Sequence, residues 1–469
     1  MDIIDLSATE LAARVRDGRV SPGDIAEALI DEVERANPAL NALIRFDPAL
    51  IRGEAARVRD LIASGAPAPL AGVPFTAKDN LWVKGQVVSQ GSRLFEDFVA
   101  PRDAVAVERL RSQGAMILGL TNCSEFACKG LTTNLLFGAT RNPWDLERTP
   151  GGSSGGAASA VSAGLGALAL GTDAGGSVRR PAAHVGVFGM KPSPGRIPHP
   201  VGFTEPVFGQ SVIGIMARTA ADLDLSFKAL CAYDARDPMS APHMPGEPAM
   251  LKGLRVAYSP RLGLGFPVDR DVQAAVSETA RLLERFGCHI EEADPAWPAD
   301  TDEAALMPLQ LGGLAALYGD AWRQSPDRFD PDIGRQIEQG LRLNASDMAR
   351  AWFLREEMLR ALTRFQTRHD LLLTPTTPCV AWPLDRLGPE TIEGKAASPR
   401  GHAVFTPIFN HTFVPACSVP CDVAPDGLPI GLQIVGRRYE DELVLAAASA
   451  IETAGGARHA KPRRVAVRR

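Results

Sequence analysis

The hydrophobic and polar positions of the chain change period along its length. The first sixty residues repeat at helical spacing. Ser7-Ala8-Thr9-Glu10 is a capping box, and it opens LAARVRDG with Gly18 as a stop. Ser21 before Pro22 opens a second helix, in which Ile25, Leu29 and Val33 share a face and Asn37-Pro38 is expected to end the run. Residues 41–46 read as a strand and 48–63 as a third helix. Beyond residue 70 the pattern becomes an alternation. Short apolar runs at 73–77, 115–122, 167–173, 254–259, 371–375 and 429–436 predict strands. Between them, 104–113, 269–286, 302–368 and 440–454 read as helical, and a Gly/Ser turn at 151–156 opens an Ala-rich helix to Gly164. Such alternation predicts the α/β class, a sheet with helices on both faces. No Pro-, Gly- or Ser-rich linker divides the chain, and no internal repeat is present.

Composition narrows the function classes. The 469 residues carry 50 Lys+Arg and 55 Asp+Glu, a formal charge of −5. Mild acidity argues against nucleic-acid binding, which favours a basic face. No run approaches the ~18 apolar residues of a membrane span, and MDIIDLSATE lacks the basic start of a secretory signal. A soluble enzyme is expected. Cys123, Cys128, Cys231, Cys288, Cys379, Cys417 and Cys421 are odd in number, widely spread and free of C-x-x-C spacing, which fits a reducing cytoplasm. Cys417 and Cys421 read as small core residues. No histidine pair has metal-ligand spacing, so no metal is expected. The basic tail from Arg458, with Arg463, Arg464, Arg468 and Arg469, reads as a solvated end.

Two glycine-serine clusters carry candidate chemistry: Gly151-Gly152-Ser153-Ser154-Gly155-Gly156 and Gly171-Thr172-Asp173-Ala174-Gly175-Gly176-Ser177. Glycine lets backbone N–H groups converge on an anion. Neither cluster is followed by the lysine of a phosphate-binding P-loop. The string Gly164 to Ala169 imitates a dinucleotide fingerprint but lies between a helix and a strand, the reverse of the order needed. G-x-S-x-G occurs around Ser153 and again around Ser154. An α/β-hydrolase elbow would follow a strand, whereas loop precedes it here; His402, His411 and His459 are partners for it by chain order alone. Lysine is scarce, eight of the 50 basic residues. Lys78 ends an apolar strand in Val73-Pro74-Phe75-Thr76-Ala77-Lys78-Asp79-Asn80. A desolvated lysine can serve as a neutral base, so a Ser–Lys arrangement is plausible, although no S-x-x-K string exists. Taken alone, Lys78 reads more simply as salt-bridged or snorkelling.

At these residues the chain resembles the amidase signature family. The carriers are VPFTAKDN (73–80), GATRNPWDLERTPGGSSGGAASAVSAG (138–164), ALALGTDAGGSVRRPAA (167–183), FGMKPSPGR (188–196), ARTAADL (217–223) and SVPCDVAPDGLPIGLQIVGRRYEDELVL (418–445). Together they span about residues 70–450 in the family's order. The resemblance implies one large α/β domain over 1–469, a mixed twisted sheet sandwiched between helices. Within it, 1–66 would pack as an N-terminal helical region, 70–200 would form the catalytic core, and about 300–368 would lie on the substrate side. It implies a Ser-cisSer-Lys triad: Ser177 as nucleophile, Ser153 as bridging serine on a cis peptide after Gly152, and Lys78 as base. The backbone N–H groups of Ala174, Gly175, Gly176 and Ser177 would form an oxyanion hole. Asp173, Arg179, Gly152 and Ser154 would brace the turns. Ala174 departs from the commoner threonine.

Further expectations concern substrate. Arg180, a second arginine after Arg179, is a candidate to bind a substrate carboxylate, or else a sheet-end salt bridge. Phe126, Leu131, Phe137, Phe203, Phe208 and Trp322 are candidate pocket residues that would serve equally as core. The implied activity is hydrolysis of a small-molecule amide through an acyl-Ser177 intermediate, extending in some members to esters or carbamates, with no cofactor, nucleic-acid partner or membrane. Homodimers are common in the family. An alternative is the glutaminase component of a tRNA-dependent amidotransferase, which NPWDLERTPGGSSGG also resembles. Against it, Pro194 stands where that component typically has Tyr, and Ala403 stands where an acidic residue is expected. An inactive scaffold is disfavoured by intact Lys78, Ser153 and Ser177.

Overall fold

The computed structural model describes residues 2–207, 209–242 and 250–456. Phe208, His459 and the basic tail therefore lie outside the described residues. Helices α1 (Ala8–Arg16), α2 (Pro22–Leu40) and α3 (Pro48–Ala63) flank the first strand, β1 (Leu43–Phe46). Then follow β2 (Pro74–Lys78), α4 (Val105–Ser112), β3 (Met116–Thr121), the short ribbon β4 (Thr133–Asn134) with β5 (Gly138–Ala139), α5 (Gly155–Ser162), β6 (Leu168–Asp173), α6 (Arg179–Val185), β7 (Phe188–Lys191), β8 (Val212–Ala217) and α7 (Ala220–Leu230). The second half has β9 (Arg255–Tyr258), α8 (Arg270–Arg281), β10 (His289–Glu292), α9 (Glu303–Gln324), α10 (Pro331–Gly340) and α11 (Ala345–Gln366). It ends with β11 (Leu371–Pro375), the ribbon β12 (Thr391–Ile392) with β13 (Lys395–Ala396), α12 (Pro407–His411), β14 (Ala416–Val423), β15 (Pro429–Val435) and α13 (Asp441–Thr453).

One 11-stranded sheet gathers strands from both halves in the order β1-β3-β2-β6-β8-β7-β14-β15-β11-β9-β10. Pairs β3–β2, β2–β6, β11–β9 and β9–β10 are parallel and the rest antiparallel, so the sheet is mixed. Its two faces differ in residue size. Pleating sends Phe75, Ala77, Leu168, Leu170, Ile213 and Ile215 into the main core. Ala169 and Met216 instead meet Ala157, Ala158 and Val161 of α5 and Ala182 and Val185 of α6. That second face needs glycine for close approach: a Cβ on Gly189 would lie 2.5 Å from the Ala182 Cβ, and one on Gly431 2.7 Å from that of Ala183. The helices α5 and α6 thus ride low on the sheet, and the serine turns precede them.

Several expectations need correction. Asn37-Pro38 does not end α2, which runs to Leu40 with Pro38 inside. The true stop is Asn41, left-handed at φ 51°, while the Asn37 side chain caps Ala42 N and Leu43 N, at 2.9 and 2.8 Å. The 302–368 stretch is helical as expected and divides into three helices, because Asp330 and Asn344 each cap a new N-terminus with their side chains. Residues 282–286 tighten into a 3-10 turn. Strands β7, β8, β10 and β14 and helices α6 and α7 are elements that the periodicity does not predict. β14 carries Pro420 beside a register shift between Pro420 and Asp422, a place in a sheet where proline is tolerated. All seven cysteines are free and buried, Cys417 and Cys421 among them. No helix among the described residues is long and apolar enough to cross a membrane.

The bulky face supplies stability. Phe75→Ala, on the face of β2 opposite Lys78, should cost about 3–5 kcal/mol and lower the apparent melting temperature by several degrees. An unchanged melting curve would show that the main core does not depend on β2 as described.

Candidate active site

Lys78 is the last residue of β2, and Asp173 the last of its parallel neighbour β6. Their C-terminal ends lie side by side, where open α/β sheets receive ligands. The turn before α5 brings Ser153 over this edge, and the turn after β6 brings Ser177. The Gly152–Ser153 peptide is cis, as the resemblance implies. Lys78 Nζ donates to Ser153 Oγ at 2.7 Å and to Thr172 Oγ1 at 3.0 Å, and Asn80 Nδ2 donates to the same Thr172 oxygen at 2.9 Å. Ser154 N donates to the Ser177 carbonyl at 3.2 Å, tying the two turns together. Lys78 and Ser153 are fully buried, whereas Ser177 is 6 % exposed at the open side. No hydrogen bond among the described residues joins the two serine hydroxyls.

Burial is the main influence on Lys78. It pushes the ammonium down from 10.5 to about 8, with Cys123, Glu205 and Asp173 pulling weakly the other way. Among the described residues it has no ion-pair partner, which removes the salt-bridge reading. Lys191 is a useful contrast. It is also buried and depressed, to about 7, but its Nζ donates to the Pro192 carbonyl at 3.0 Å rather than to a hydroxyl. Both lysines are depressed by burial; Lys78 differs in having a hydroxyl within proton-transfer reach.

Asp173 and Arg179 form the brace. Burial would raise the Asp173 carboxyl, but the Arg179 guanidinium overrides it and holds the group well below the usual carboxylate range. Arg179 reaches Asp173 Oδ1 at 2.9 Å and Oδ2 at 3.1 Å, Gln433 Oε1 at 2.7 Å, the Thr406 carbonyl at 3.1 Å and Asn410 Oδ1 at 2.5 Å. The Asp173 carboxylate also accepts from Gly176 N at 2.7 Å and Val178 N at 3.1 Å. Gly176 therefore departs from the expected set of four converging amides: its N–H is committed to Asp173. The N–H groups of Ala174, Gly175 and Ser177 are left as donors. Ser154 Oγ reaches the Thr172 carbonyl at 3.4 Å, a bracing contact.

Arg180 is buried, and its Nη2 lies 3.4 Å from the Gly152 carbonyl. It lines a cavity of about 420 Å³ together with Lys129, Arg335, Arg400, His402 and Asp332. Lys129 is ion-paired with Asp330 at 2.6 Å and Arg335 with Asp332, so the guanidiniums of Arg180 and Arg400 are added to a wall of ion pairs. A second cavity, of about 360 Å³, is lined by His199, Phe203, Glu205 and Ser211. Phe126 lies in neither. It stacks on Tyr318 with ring centroids 3.9 Å apart and packs with Phe329 as core, and Trp322 packs beside them. Leu131 is buried with its backbone against Gly152, and Phe137 is half-buried beneath Arg45. His402 stacks on Trp382, and His411 meets Gln210; neither is hydrogen-bonded to Ser153 or Ser154.

Thr172, Asn80, Thr132 and Gln210 belong to the site without being singled out by the sequence. Thr132 Oγ1 donates to the Gly151 carbonyl at 2.8 Å and accepts from Gly155 N at 2.9 Å, clamping the glycine turn. A period-2 reading offers a signal for Thr172, since it lies two residues from Leu170 yet is polar in an apolar strand. Nothing in the sequence marks Thr132 or Gln210, which act across distant segments.

Comparison with known proteins gives the family. The family model described as Amidase matches residues 24–445. An acylamidase of Rhodococcus erythropolis is 38% identical over 95% of both chains. A glutamyl-tRNA(Gln) amidotransferase subunit from Symbiobacterium thermophilum is 34% identical over 97% of this chain and 98% of its own. The crystal structure of a bacterial aryl acylamidase of the amidase signature family superposes with a TM-score of 0.89, at 29% identity over 96% of each chain.

The brace is testable by stability. Arg179→Met leaves the Asp173 carboxylate buried without its cation and should cost about 3–5 kcal/mol. Because the Asp173 carboxyl is depressed in the folded protein, the stability it contributes is present above the unfolded pKa of ~3.9 and is lost as pH falls below it. Acid titration of thermal stability should therefore show a steep loss in wild type and a shallower one in Asp173→Asn; equal slopes would contradict the linkage.

Proposed function

The chain belongs to the amidase signature family and is an amide-hydrolysing enzyme, and on that premise we propose that it acts on a small-molecule amide through an acyl-Ser177 intermediate. The observation that carries this reading is the 2.7 Å contact between Lys78 Nζ and Ser153 Oγ in fully buried surroundings. Ser177 Oγ attacks the amide carbonyl carbon. Its proton passes to Ser153 Oγ, whose own proton passes to neutral Lys78. A serine hydroxyl suits the middle position because it donates and accepts at once. The carbonyl oxygen, now negative, is met by the N–H groups of Ala174, Gly175 and Ser177. The relay then runs backwards, the leaving nitrogen takes the proton, and the C–N bond breaks. Water enters by the same route and releases the carboxylic acid from Ser177.

The guanidiniums of Arg180 and Arg400 in the cavity of about 420 Å³ favour a substrate carrying a carboxylate, with Arg180 held against the Gly152 carbonyl beside Ser153. Residues of α9 and α10, among them Leu311 and Arg335, line that cavity and support reading 300–368 as the substrate side. The free, buried cysteines support a reducing compartment such as the cytoplasm. A second reading, glutaminase action within an amidotransferase, is favoured by the 34% identity to the Symbiobacterium thermophilum protein. Pro194 and Ala403 stand against it.

Purified protein should be assayed on an aryl anilide, an aliphatic amide, a half-amide of a dicarboxylic acid, glutamine and a carbamate. Ser177→Ala and Lys78→Ala should each lower the rate by about 10³-fold or more. Full activity in Lys78→Ala would sink the triad, and turnover of glutamine alone, with an added partner, would favour the amidotransferase reading. Since Lys78 must be neutral to accept a proton, and its pKa is about 8, kcat/KM should rise with pH through a midpoint near 8. A rate independent of pH between about 6 and 9 would exclude Lys78 as base.

A further inference from the structure

We infer that Gln210 is a positioning residue that aims the Gly175 N–H into the oxyanion hole, an inference that rests on Ser177 being the nucleophile. A trans peptide points its C=O and the following N–H in opposite directions, so fixing one fixes the other. In the Ser177 turn every carbonyl is held. The Asp173 carbonyl accepts from Asn410 Nδ2 at 2.8 Å, that of Ala174 from Gln210 Nε2 at 2.6 Å, and that of Gly175 from Thr406 Oγ1 at 2.9 Å. The Gly176 carbonyl accepts from Arg180 N at 2.8 Å, and that of Ser177 from Ser154 N at 3.2 Å. Each anchor therefore aims one amide: Asn410 aims Ala174 N–H, Gln210 aims Gly175 N–H, Thr406 aims Gly176 N–H, and the Arg180 backbone aims Ser177 N–H.

These anchors are not equivalent. Gly176 N–H is spent on Asp173, so Thr406 orients an amide outside the hole. Asn410 also holds the Asp173–Arg179 pair, and the Arg180 anchor is backbone. Among these anchors, Gln210 alone is a side chain that fixes an available donor without belonging to the buried ion pair. Gly175 is half-buried and lacks a side chain to resist rotation of its peptide. Gln210 itself is buried, and the cavity beside it is lined by its neighbours Gly209 and Ser211 but not by Gln210. Its orientation is set from behind: Nε2 also lies 3.2 Å from His411 Nε2, and burial pushes that imidazole down to about 3, so at working pH it is neutral and can accept. Through the His411 carbonyl, which accepts from Arg355 Nε at 3.1 Å, the anchor is continuous with α11.

A fluorophosphonate reads this device without knowledge of the natural substrate. Ser177 Oγ forms a bond to phosphorus, fluoride leaves, and the hydroxyl proton passes through Ser153 to Lys78. The developing negative oxygen occupies the same hole. Gln210→Met should lower the labelling rate constant by about 10- to 100-fold, the scale of a misplaced reacting group. For the amide in the panel that turns over fastest, kcat should fall to match and KM stay within about twofold. Thr406→Val, which removes one hydrogen bond from the same turn, should lower the melting temperature comparably and labelling far less. Labelling in Gln210→Met within about twofold of wild type, or an equal loss in Thr406→Val, would overturn the inference. If Gln210→Met does not fold, Gln210→Glu keeps the shape, presents an acceptor to the Ala174 carbonyl, and should show the same loss. Labelling that persists in Ser177→Ala would remove the nucleophile and the proposed mechanism with it; labelling lost in Ser177→Ala but intact in Gln210→Met would remove only the role of Gln210.

Discussion

Burying Lys78 without an anionic partner imposes conditions on everything near it. A lysine in water stays charged up to ~10.4, and a carboxylate at contact would keep it charged in the interior as well. The site supplies only hydroxyls, Ser153 and Thr172, so desolvation prevails and the amine approaches neutrality near pH 8. Hydroxyls are the right neighbours for that purpose. They hydrogen-bond with either protonation state and add no fixed charge, so the lysine can change state without leaving a buried ion behind.

The carboxylate closest in chain to Ser177 is kept from spoiling this balance. Asp173 sits at the end of β6, four residues before Ser177, and a free carboxylate there would pull Lys78 back toward the ammonium. Arg179 neutralises it with a two-oxygen contact, and backbone N–H groups and Asn410 satisfy the remaining lone pairs. Removing a charge pair from water is expensive, and such a pair is weak evidence of stability in itself. Here its geometric consequence matters more: the carboxylate gathers Gly176 N and Val178 N, bending the chain into the turn that carries Ser177. The charge that would hold Lys78 as an ammonium becomes the post around which the Ser177 loop is wound.

The alternation of strands and helices, and the three elements that carry Lys78, Ser153 and Ser177, are legible in the sequence because they depend on local periodicity and on short glycine-serine strings. What escapes depends on contacts far apart in the chain. Strand β14 contains Pro420, and only the partner strand's register shows the bulge that admits it. The break of 302–368 into three helices turns on the side-chain caps Asp330 and Asn344, residues that read equally well as exposed positions of one long helix. Thr132 and Gln210 reach turns 19 and 36 residues away in sequence. Phe126 reads equally well as pocket wall or as core, and what decides for core is Tyr318, a partner that comes from α9.

The difference between the two faces of the sheet separates stability from chemistry along single strands. On β2, Phe75 and Ala77 enter the main core while Thr76 and Lys78 point to the other side. On β6, Leu168 and Leu170 do the same, and Ala169, Gly171 and Asp173 alternate with them. The small residues of the second face bring α5 and α6 close, and closeness is what lets the turns before them meet at one strand edge. A larger residue on that face would lift a helix and move a serine, whereas one removed from the first face would open a cavity far from either serine. The fold can therefore accept variation in its core at a cost in stability alone, while the glycine-rich face couples packing directly to the distance between Lys78 and the two hydroxyls.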